Sequence, residues 1–457
     1  MKIRSVNKKT LRNKIDRLWT CSAQKITSLD ASWDPAAGSP VFTVRGKYTS
    51  QGWTEWTQGF QYGMALLQFD ATGEEAFLEI GRRNTIERMA PHLTHTGVHD
   101  HGFNNVSTYG NLWRLMNEGR IEENPWERHF YELALKVTGA VQASRWTPLP
   151  DGLGFIHSFN GPHSLFVDTI RSLRALALSH ELGHVLQGEN DIRISLLERL
   201  EAHARSTAKY SVYYGAGRDR YDLRGRTVHE AVFNTRDGAF RCPSSQQGYS
   251  PFSTWTRGLA WAMCGFAEQL EFFKRRGHRS LQTDMLKAAS ATCDFFINHA
   301  TAADGITYWD TGAPNLHRIK DWASRPADPF NEWEPVDSTA SAIAAQGLIR
   351  LGRYLGARKA PGGMYSGDDY LKAGLTVLDR LLEEPYLSVN ERHQGLLLHS
   401  IYHQPRGWDH TPRGRVVACG ESSMWGDYHL MEVALLVQRM LGGTTNHTFY
   451  HDPRRTS

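Results

Sequence analysis

The chain has 457 residues, of which 40% are hydrophobic and 22% charged, an ordinary balance for one large globular domain or two to three smaller ones. Its formal net charge of +4 is too small to indicate a nucleic-acid partner, but it suits an acidic small substrate. The 14 Trp, 17 Tyr and 21 His are numerous, and aromatic side chains are typical of carbohydrate sites.

The cysteines and the N-terminus bear on the cellular compartment. Five scattered cysteines, without metal-ligand spacing, predict free thiols in a reducing environment. The N-terminus is basic but has no apolar run behind it, and no stretch is long and apolar enough to cross a bilayer. We therefore expect a cytoplasmic chain with no signal peptide, no membrane contact and no nucleic-acid partner.

Helical periodicity dominates the chain, and two kinds of predicted helix alternate. One kind is amphipathic and charged, as expected of an outer helix with a solvated face. These six helices are 8–28, 74–90, 125–141, 190–210, 280–299 and 368–382. The other kind opens with a polar cap and continues with small and apolar residues, which is typical of a buried helix. These six helices open at Thr57, Ser107, Ser164, Ser253, Ser338 and Ser422.

The alternation of six outer and six inner helices predicts an all-α (α/α)6 barrel, a closed ring of helical hairpins. It would occupy residues 1–457 as a single domain, since no long linker divides the chain. A less regular helical bundle or solenoid is the alternative. Three long predicted loops, 148–162, 215–253 and 304–336, precede inner helices and should gather at one mouth of the ring. Buried helix N-termini at that mouth would favour an anionic ligand.

Two acidic residues lie where predicted inner helices begin. Asp100 stands between His99 and His101 in a loop-like stretch, where an Asx turn is the alternative to catalysis. Asp168 follows three apolar residues, so burial would raise its pKa, as a general acid near neutral pH requires. The helix dipole would lower that pKa instead, and the sequence leaves both possibilities open.

A loop that runs into a helix, residues 246–261, carries Arg257 between Trp255 and Trp261. The planar guanidinium binds carboxylates in a bidentate manner, and aromatic faces suit a sugar ring. A sugar that carries a carboxylate would therefore fit this stretch. A tightly packed core helix with a snorkelling arginine is the alternative.

One pattern indicates a different chemistry. His180-Glu181-Leu182-Gly183-His184 has the H-E-x-x-H spacing of zinc peptidases. The longer form with a third His does not follow, although Glu198 or Glu201 could serve as a third ligand. The pattern falls at the far end of an inner helix, about 18 Å from the mouth. A zinc peptidase is therefore a minor alternative, and we expect no metal and no organic cofactor.

Several short motifs follow one another along the chain. They are Trp56-Thr57-Gln58-Gly59-Phe60, His99-Asp100, Asp168-Thr169, His229, Gln247-Gly248-Tyr249-Ser250, Arg257-Gly258-Leu259-Ala260-Trp261, Asp337-Ser338-Thr339-Ala340, Gly395-Leu396-Leu397-Leu398-His399 and Trp425-Gly426-Asp427-Tyr428. This set resembles the unsaturated glucuronyl hydrolases of glycoside hydrolase family 88. The resemblance spans roughly residues 50 to 435, and the stretch from Gln247 to Trp261 is its most specific part.

The resemblance implies an (α/α)6 barrel and a glycoside hydrolase of polysaccharide and glycosaminoglycan breakdown. Its substrate would be a lyase-generated oligosaccharide with a 4,5-unsaturated glucuronic acid at the non-reducing end. Asp168 would be the general acid and base, and Asp100 would raise the proton affinity of Asp168. The substrate-binding residues implied are Trp56, His99, His229, Gln247, Arg257, Trp261, His399 and Trp425.

Two further functions remain open. The unsaturated rhamnogalacturonyl hydrolases share the fold and parts of the motif set, and they are the second enzyme hypothesis. A sugar-binding barrel without catalysis is the third, although the presence of both Asp100 and Asp168 argues against it. The linked sugar and the oligomeric state are not predicted.

Overall fold

The structure is a computed structural model that describes residues 1–276 and 279–450. Most of the described chain is helical, and the long helices form two concentric layers. The outer layer consists of α1 (Lys8–Ser32), α3 (Glu75–Arg88), α7 (Pro125–Ser144), α10 (Leu196–Tyr210), α12 (Arg279–Phe295) and α14 (Gly367–Leu381). Each of these helices keeps part of its surface in solvent.

The inner layer is almost entirely buried. It consists of α2 (Gln58–Thr72), α5 (His101–Asn105) continued by α6 (Asn111–Asn117), α8 (Thr169–Ser172) continued by α9 (Arg174–Glu181), α11 (Thr256–Arg276), α13 (Ser338–Leu355) and α15 (Met424–Gly442). A short helix, α4 (Ala90–Leu93), leads from α3 towards α5. Each inner helix packs on the next, and α15 packs on α2, so the ring is closed. The expected (α/α)6 barrel is confirmed.

The described strands are short, two to five residues each. They are β1 (Phe42–Val44), β2 (Lys47–Thr49), β3 (Trp146–Pro148), β4 (Gly154–Ile156), β5 (Ser164–Phe166), β6 (Leu186–Gln187), β7 (Arg193–Ile194), β8 (Glu230–Phe233) and β9 (Phe240–Ser244). The pairs β1–β2, β3–β4 and β6–β7 are antiparallel hairpins, and β5–β8–β9 is an antiparallel sheet. No described helix is long and apolar enough to cross a membrane.

Two predicted starts of inner helices are wrong. Ser107 does not begin a helix but lies inside one that opens at His101, within a π-helical segment, Val106–Gly110. Ser164 lies in β5, and the helix begins five residues later at Thr169. In both places a buried polar residue resembles a helix cap, because its side chain is satisfied by tertiary contacts that the local sequence does not reveal.

Buried ion pairs join the inner helices to one another. They link α2 to α6 (Asp70–Arg114, 2.7 Å), α2 to α15 (Asp70–Arg439, 2.6 Å), α8 to α15 (Arg171–Glu432, 2.8 Å), α8 to α11 (Arg171–Glu268, 3.0 Å) and α13 to α11 (Arg350–Glu271, 2.8 Å). Each of the six inner positions of the ring therefore takes part in at least one ion pair with another inner position. Burial alone would raise the pKa of Glu432, but the positive charges of Arg171 and Arg174 outweigh it and hold that pKa well below its usual range.

We expect Glu432→Gln to lower the free energy of unfolding by about 3–5 kcal/mol, because it leaves buried arginine charge without its partner. Urea denaturation of the full chain measures this loss. The matched control is Asp151→Asn, which removes an exposed ion pair with Lys209 and should cost less than about 1 kcal/mol. Equal small losses in the two variants would contradict a structural role for the buried network.

Candidate active site

A short sheet places Asp168 beside His229. Strand β5 pairs with β8 so that Phe166 lies opposite Glu230, and the Val167 N–H donates to the His229 carbonyl at 2.9 Å. Asp168 follows directly and is the N-terminal cap residue of α8. Two residues that are 61 positions apart in the chain are thus brought together by backbone pairing.

A close crossing of helices α5 and α8 places Asp100 beside Asp168. Asp100 precedes α5, and Gly102 in that helix touches α8, where its N–H donates to Ser172 Oγ at 2.8 Å. A Cβ at Gly102 would stand 2.1 Å from the Ser172 carbonyl oxygen, so only glycine permits this approach. From the outer helix α7, the Gln142 amide donates to the His99 carbonyl at 2.9 Å.

The result is a compact cluster of His99, Asp100 and Asp168. The Nε2 atom of His99 lies 3.0 Å from Asp168 Oδ2 and 3.7 Å from Asp100 Oδ1. All three side chains are almost fully buried. Their ligand atoms lie within 4.8 Å of one another, and among residues 1–276 and 279–450 this is the group of His, Cys, Asp or Glu that could hold a cation.

His99, which lies between the two carboxylates, gives Asp100 and Asp168 different pKa values. Burial raises the pKa of Asp100 to about 6, a shift that the Asp168 charge supports and the His99 charge opposes. Burial would raise the pKa of Asp168 as well, but the hydrogen bond and charge of His99, with the charge of His229, lower it. Burial would lower the pKa of His99, yet the two carboxylates raise it. In the free protein His99 therefore keeps its proton to higher pH than an ordinary histidine, and Asp100 holds a proton below about pH 6.

His229 is held in one tautomer. Its Nδ1 accepts the backbone N–H groups of Gln246 at 3.0 Å and Gln247 at 3.3 Å, so the proton of the neutral ring is on Nε2. That Nε2 points towards Asp168 Oδ1 at 3.8 Å. Burial lowers the pKa of His229 to about 4, so the ring is a neutral donor at neutral pH.

Arg257 lies at the start of α11 and is engaged by the protein itself. Its Nη1 donates to Asp337 Oδ2 at 3.1 Å and to the Ile401 carbonyl, and its Nη2 donates to Gln247 Oε1 at 2.8 Å and to the Tyr402 carbonyl at 2.6 Å. The side chain is 2% exposed. The guanidinium thus joins three segments of the chain behind the site, which differs from the direct contact with a sugar that the resemblance implies.

The predicted aromatic residues form a wall next to Arg257. The Trp56 ring lies 5.1 Å from Trp425 and 6.0 Å from Phe103, and Trp261 lies 4.7 Å from Phe103. The Arg257 guanidinium stands 5.4 Å from the Trp425 ring. Trp56, Trp261 and Trp425 therefore belong to one aromatic cluster, in which Trp261 and Trp425 are buried and Trp56 is half-buried. Gln247 and Arg257 connect this cluster to His229.

His399 has a different set of contacts. Its Nδ1 accepts the Gly420 N–H at 3.1 Å, and its ring packs against Phe330 and Tyr386. Its φ of 66° places it in the left-handed region within a tight loop. These contacts support a structural role for His399, and the structure brings it into no described contact with the carboxylate cluster.

The H-E-x-x-H pattern does not form a metal site. The Nε2 of His180 lies 3.0 Å from Nη1 of Arg276, whose Nη2 is 3.5 Å from Glu181 Oε1. A permanent cation that contacts both residues opposes the binding of a second cation there. The pattern lies at the C-terminal end of α9, away from the carboxylate cluster.

The structure adds two residues that the sequence did not single out. Phe159, in the loop before β5, stacks near His99 with ring centroids 6.0 Å apart and keeps 45% of its surface exposed. Tyr402 packs on Trp425 at 4.7 Å and accepts a hydrogen bond from Trp56 at 3.4 Å. Tyr402 lies three residues after the predicted motif Gly395–His399, which was a signal for it; Phe159 had none beyond its place in the predicted loop 148–162.

No protein-family model matches the chain. Among curated proteins, it is 24% identical over 409 residues to an unsaturated glucuronyl hydrolase of Bacillus sp. strain GL1, covering 87% of this chain and 90% of that protein. It is 23% identical over 390 residues to one of Formosa agariphila, covering 85% and 81%. It is also 23% identical over 393 residues to an unsaturated chondroitin disaccharide hydrolase of Streptococcus agalactiae, covering 84% and 81%. The chain resembles unsaturated glucuronyl hydrolases. The resemblance expected from the motifs is thereby confirmed.

Solved structures of such enzymes share the fold. The Bacillus sp. GL1 enzyme has a TM-score of 0.71 at 21% identity, covering 97% of this chain and 100% of that one. A heparin-specific unsaturated glucuronyl hydrolase has a TM-score of 0.71 at 18% identity, covering 95% and 99%. A variant of the Streptococcus agalactiae enzyme, solved with dGlcA-GalNAc6S, has a TM-score of 0.62 at 19% identity, covering 98% and 99%.

The contacts of Arg257 lead to a stability prediction. Arg257→Lys keeps the charge but cannot satisfy Asp337, Gln247 and two carbonyls together, so we expect a loss of roughly 2–4 kcal/mol in the free energy of unfolding. Hydrogen exchange at 401–409 should accelerate, because that loop loses its anchor. Arg318→Lys, at an exposed arginine that stacks on Trp333, is the control. Unchanged exchange at 401–409 would show that Arg257 does not hold the loop.

Proposed function

We propose that the chain is an unsaturated glucuronyl hydrolase, which hydrates the vinyl ether of a 4,5-unsaturated glucuronic acid at the non-reducing end of an oligosaccharide. The observation that carries the proposal is the cluster in which His99 Nε2 lies between Asp168 and Asp100. It offers a proton and two carboxylates within one buried site, next to an aromatic wall that suits a sugar ring. The similarity to enzymes of this activity supports it.

The acid step begins when an anionic substrate enters. A substrate carboxylate near Asp168 would raise the pKa of Asp168, because a second negative charge favours the protonated form. His99, 3.0 Å from Asp168 Oδ2, is the donor within reach. We propose that the proton passes from His99 Nε2 to Asp168 and from Asp168 to C4 of the sugar, leaving positive charge on C5 and the ring oxygen.

The base step uses the same carboxylate. Asp168, now ionised, would take a proton from a water that adds to C5, and the hemiketal so formed opens by breaking the bond between C5 and the ring oxygen. The hemiacetal left at C1 then releases the remaining sugar chain. One water is consumed, and the proton delivered to C4 is replaced by the proton taken from that water. Proton transfers and the making and breaking of carbon–oxygen bonds account for the whole reaction, without electron transfer.

The remaining site residues have supporting roles in this proposal. His229 would direct its Nε2–H at Asp168 Oδ1 and orient that oxygen. Asp100 would accept hydrogen bonds from ring hydroxyls and keep the pKa of His99 high. Trp56, Trp261 and Trp425 would pack against the sugar, whereas Arg257 would position Gln247 and the Tyr402 loop.

We also infer that the chain is a single catalytic unit of a reducing, cytoplasmic compartment. All five cysteines are unpaired, and four of them are buried, which fits thiols that are never oxidised. The substrate would be a small oligosaccharide, since the two carboxylates are almost fully buried.

The activity can be tested with unsaturated disaccharides made by chondroitin, hyaluronan, heparin, gellan, ulvan and rhamnogalacturonan lyases. We expect loss of the ultraviolet absorbance of the C4–C5 double bond with one or more glucuronate products. Asp168→Asn should lower kcat by at least about 10²–10⁴-fold, because it removes the group that carries the proton. Substrate affinity should change little.

Asp151→Asn, at an exposed carboxylate, is the control and should be fully active. Turnover by Asp168→Asn near the wild-type rate would overturn the mechanism. Turnover of the rhamnogalacturonan product alone would support the rhamnogalacturonyl hydrolase instead, and no turnover of any product would contradict both enzyme proposals.

The pH dependence of kcat/KM follows from the pKa values of Asp100 and His99. Asp100 loses its proton as the pH rises through about 6, and its charge then helps to hold the proton on His99, so kcat/KM should fall only at the higher pH where His99 loses that proton. Asp100→Asn removes the charge that raises the pKa of His99, so the falling limb should move to lower pH. A pH profile of kcat/KM for both proteins measures this shift, and a limb that moves to higher pH would contradict the proposed proton source.

A further inference from the structure

The exposed face of the outer helix α7 is apolar. Trp126 is 86% exposed, Leu133 60% and Phe130 38%. Val137 and Ala140 continue the same line towards the C-terminal end and are half-buried. Among the described residues, the other outer helices expose one large apolar side chain, Ile86 of α3. Isolated apolar residues on a surface are common, but a continuous line on one helix face indicates an interaction site.

The spacing of this line indicates what covers it. Positions 126, 130, 133, 137 and 140 are separated by four, three, four and three residues, which is the a/d pattern of a coiled-coil seam. The seam runs about 21 Å, or four turns, along the helix. The opposite face of α7 packs on α9, which leaves the seam free to contact a further helix of similar length. We name these five residues the α7 seam.

We propose that the α7 seam is the interface of a two-fold symmetric dimer, in which α7 packs antiparallel on α7 of a second copy of this chain. The seam is self-complementary in size, since its bulky residues lie at one end and its small ones at the other. With Leu133 at the two-fold axis, Trp126 meets Ala140 of the second copy, and Phe130 comes level with position 136, next to Val137. A large side chain thus faces a small one in each layer, as close packing requires.

Charges at the two ends of the seam complement each other in the same arrangement. Glu122 is exposed before the N-terminus of α7. At the other end, Arg199 donates to the Ala143 carbonyl at 3.0 Å and stacks 4.4 Å from Trp146, and it has no carboxylate partner in the described part of the chain. Glu122 and Ala143 lie at nearly equal distances from Leu133, so an antiparallel pair places each Glu122 beside the second copy's Arg199.

The apolar area is sufficient for a stable dimer. With roughly 150–250 Å² for a fully exposed large aromatic side chain, Trp126, Phe130 and Leu133 offer on the order of 400 Å² per copy. Standard interfaces bury about 800 Å² per partner, a little more than half of it apolar. Ile86 of α3, which is joined to α7 through an ion pair between Arg82 and Glu127, adds to this surface.

The test is the mass of the full chain in solution, measured by light scattering during size exclusion and by sedimentation at several concentrations. We expect twice the mass of one chain. Leu133→Glu should raise the dissociation constant of the dimer at least about 30-fold, because it buries an unpaired carboxylate at the axis. Met364→Glu, at an exposed methionine outside the seam, is the matched control and should remain dimeric.

Two further variants test the geometry. Glu122→Arg should weaken the dimer, and adding Arg199→Glu should restore it, because the reversed charges again face each other. Leu133→Cys, with Cys242→Ser to remove the exposed native thiol, should form a disulfide between two copies under mild oxidation. A monomeric wild-type chain at every concentration, or a dimer that Leu133→Glu leaves intact, would overturn the proposal.

Discussion

The structure depends on the neutralisation of charge inside the inner ring. Six helices with little exposed surface carry arginines and carboxylates that are mostly buried, and each of these charges is paired with one on another inner helix. A buried charge without a partner costs several kcal/mol, so the helices can adopt only the arrangement in which all pairs form. Charge pairing fixes the ring more specifically than apolar packing, because apolar side chains tolerate small shifts in register.

The ion pairs also help to fix the candidate site, and Arg171 joins the two, since its backbone N–H donates to the Asp168 carbonyl at 3.0 Å. Except for Arg171, which lies in the first turn after Asp168, these ion-paired residues lie in the middle or the C-terminal half of the inner helices, and the site residues lie at or near the N-termini. On α11, for example, the site residue Arg257 and the ion-paired residue Glu268 are eleven residues, or about 16 Å, apart. Helices that are locked at one end present their opposite ends in a constant arrangement. The three loops that Arg257 gathers can therefore be held by a single guanidinium.

Burial explains why the two carboxylates differ. In a low-dielectric site a single proton donor between two acids stabilises the ionised form of the nearer acid more strongly. Asp168, at 3.0 Å from His99, is therefore stabilised as a carboxylate, whereas Asp100, at 3.7 Å, keeps its proton to higher pH. The site thus stores a proton beside the residue proposed to deliver it. Entry of a substrate anion would then favour the protonated form of Asp168.

The sequence predicts the fold well because helical periodicity is a local property. Every predicted outer helix is present, and the six inner helices follow in the expected order, with errors confined to starting residues such as Ser107 and Ser164. The contacts within the site are not local. The approach of His229 to Asp168 depends on the pairing of β5 with β8, and the acceptors of Arg257 at 401 and 402 come from a loop more than 140 residues away. The motifs named these residues, but only the tertiary structure shows which of them meet.

Helix α7 connects the outer surface to the site. Its outward face carries the α7 seam, and its inward face carries Gln142, whose amide donates to both the His99 carbonyl and Ser172 Oγ at 2.9 Å. These are the segments that bring Asp100 and Asp168 together. A second helix packed along the seam would remove bending and rotational freedom from α7, and the position of His99 would be held more narrowly as a result. A dimer of this kind would stabilise the site from outside the barrel without contributing a residue to it.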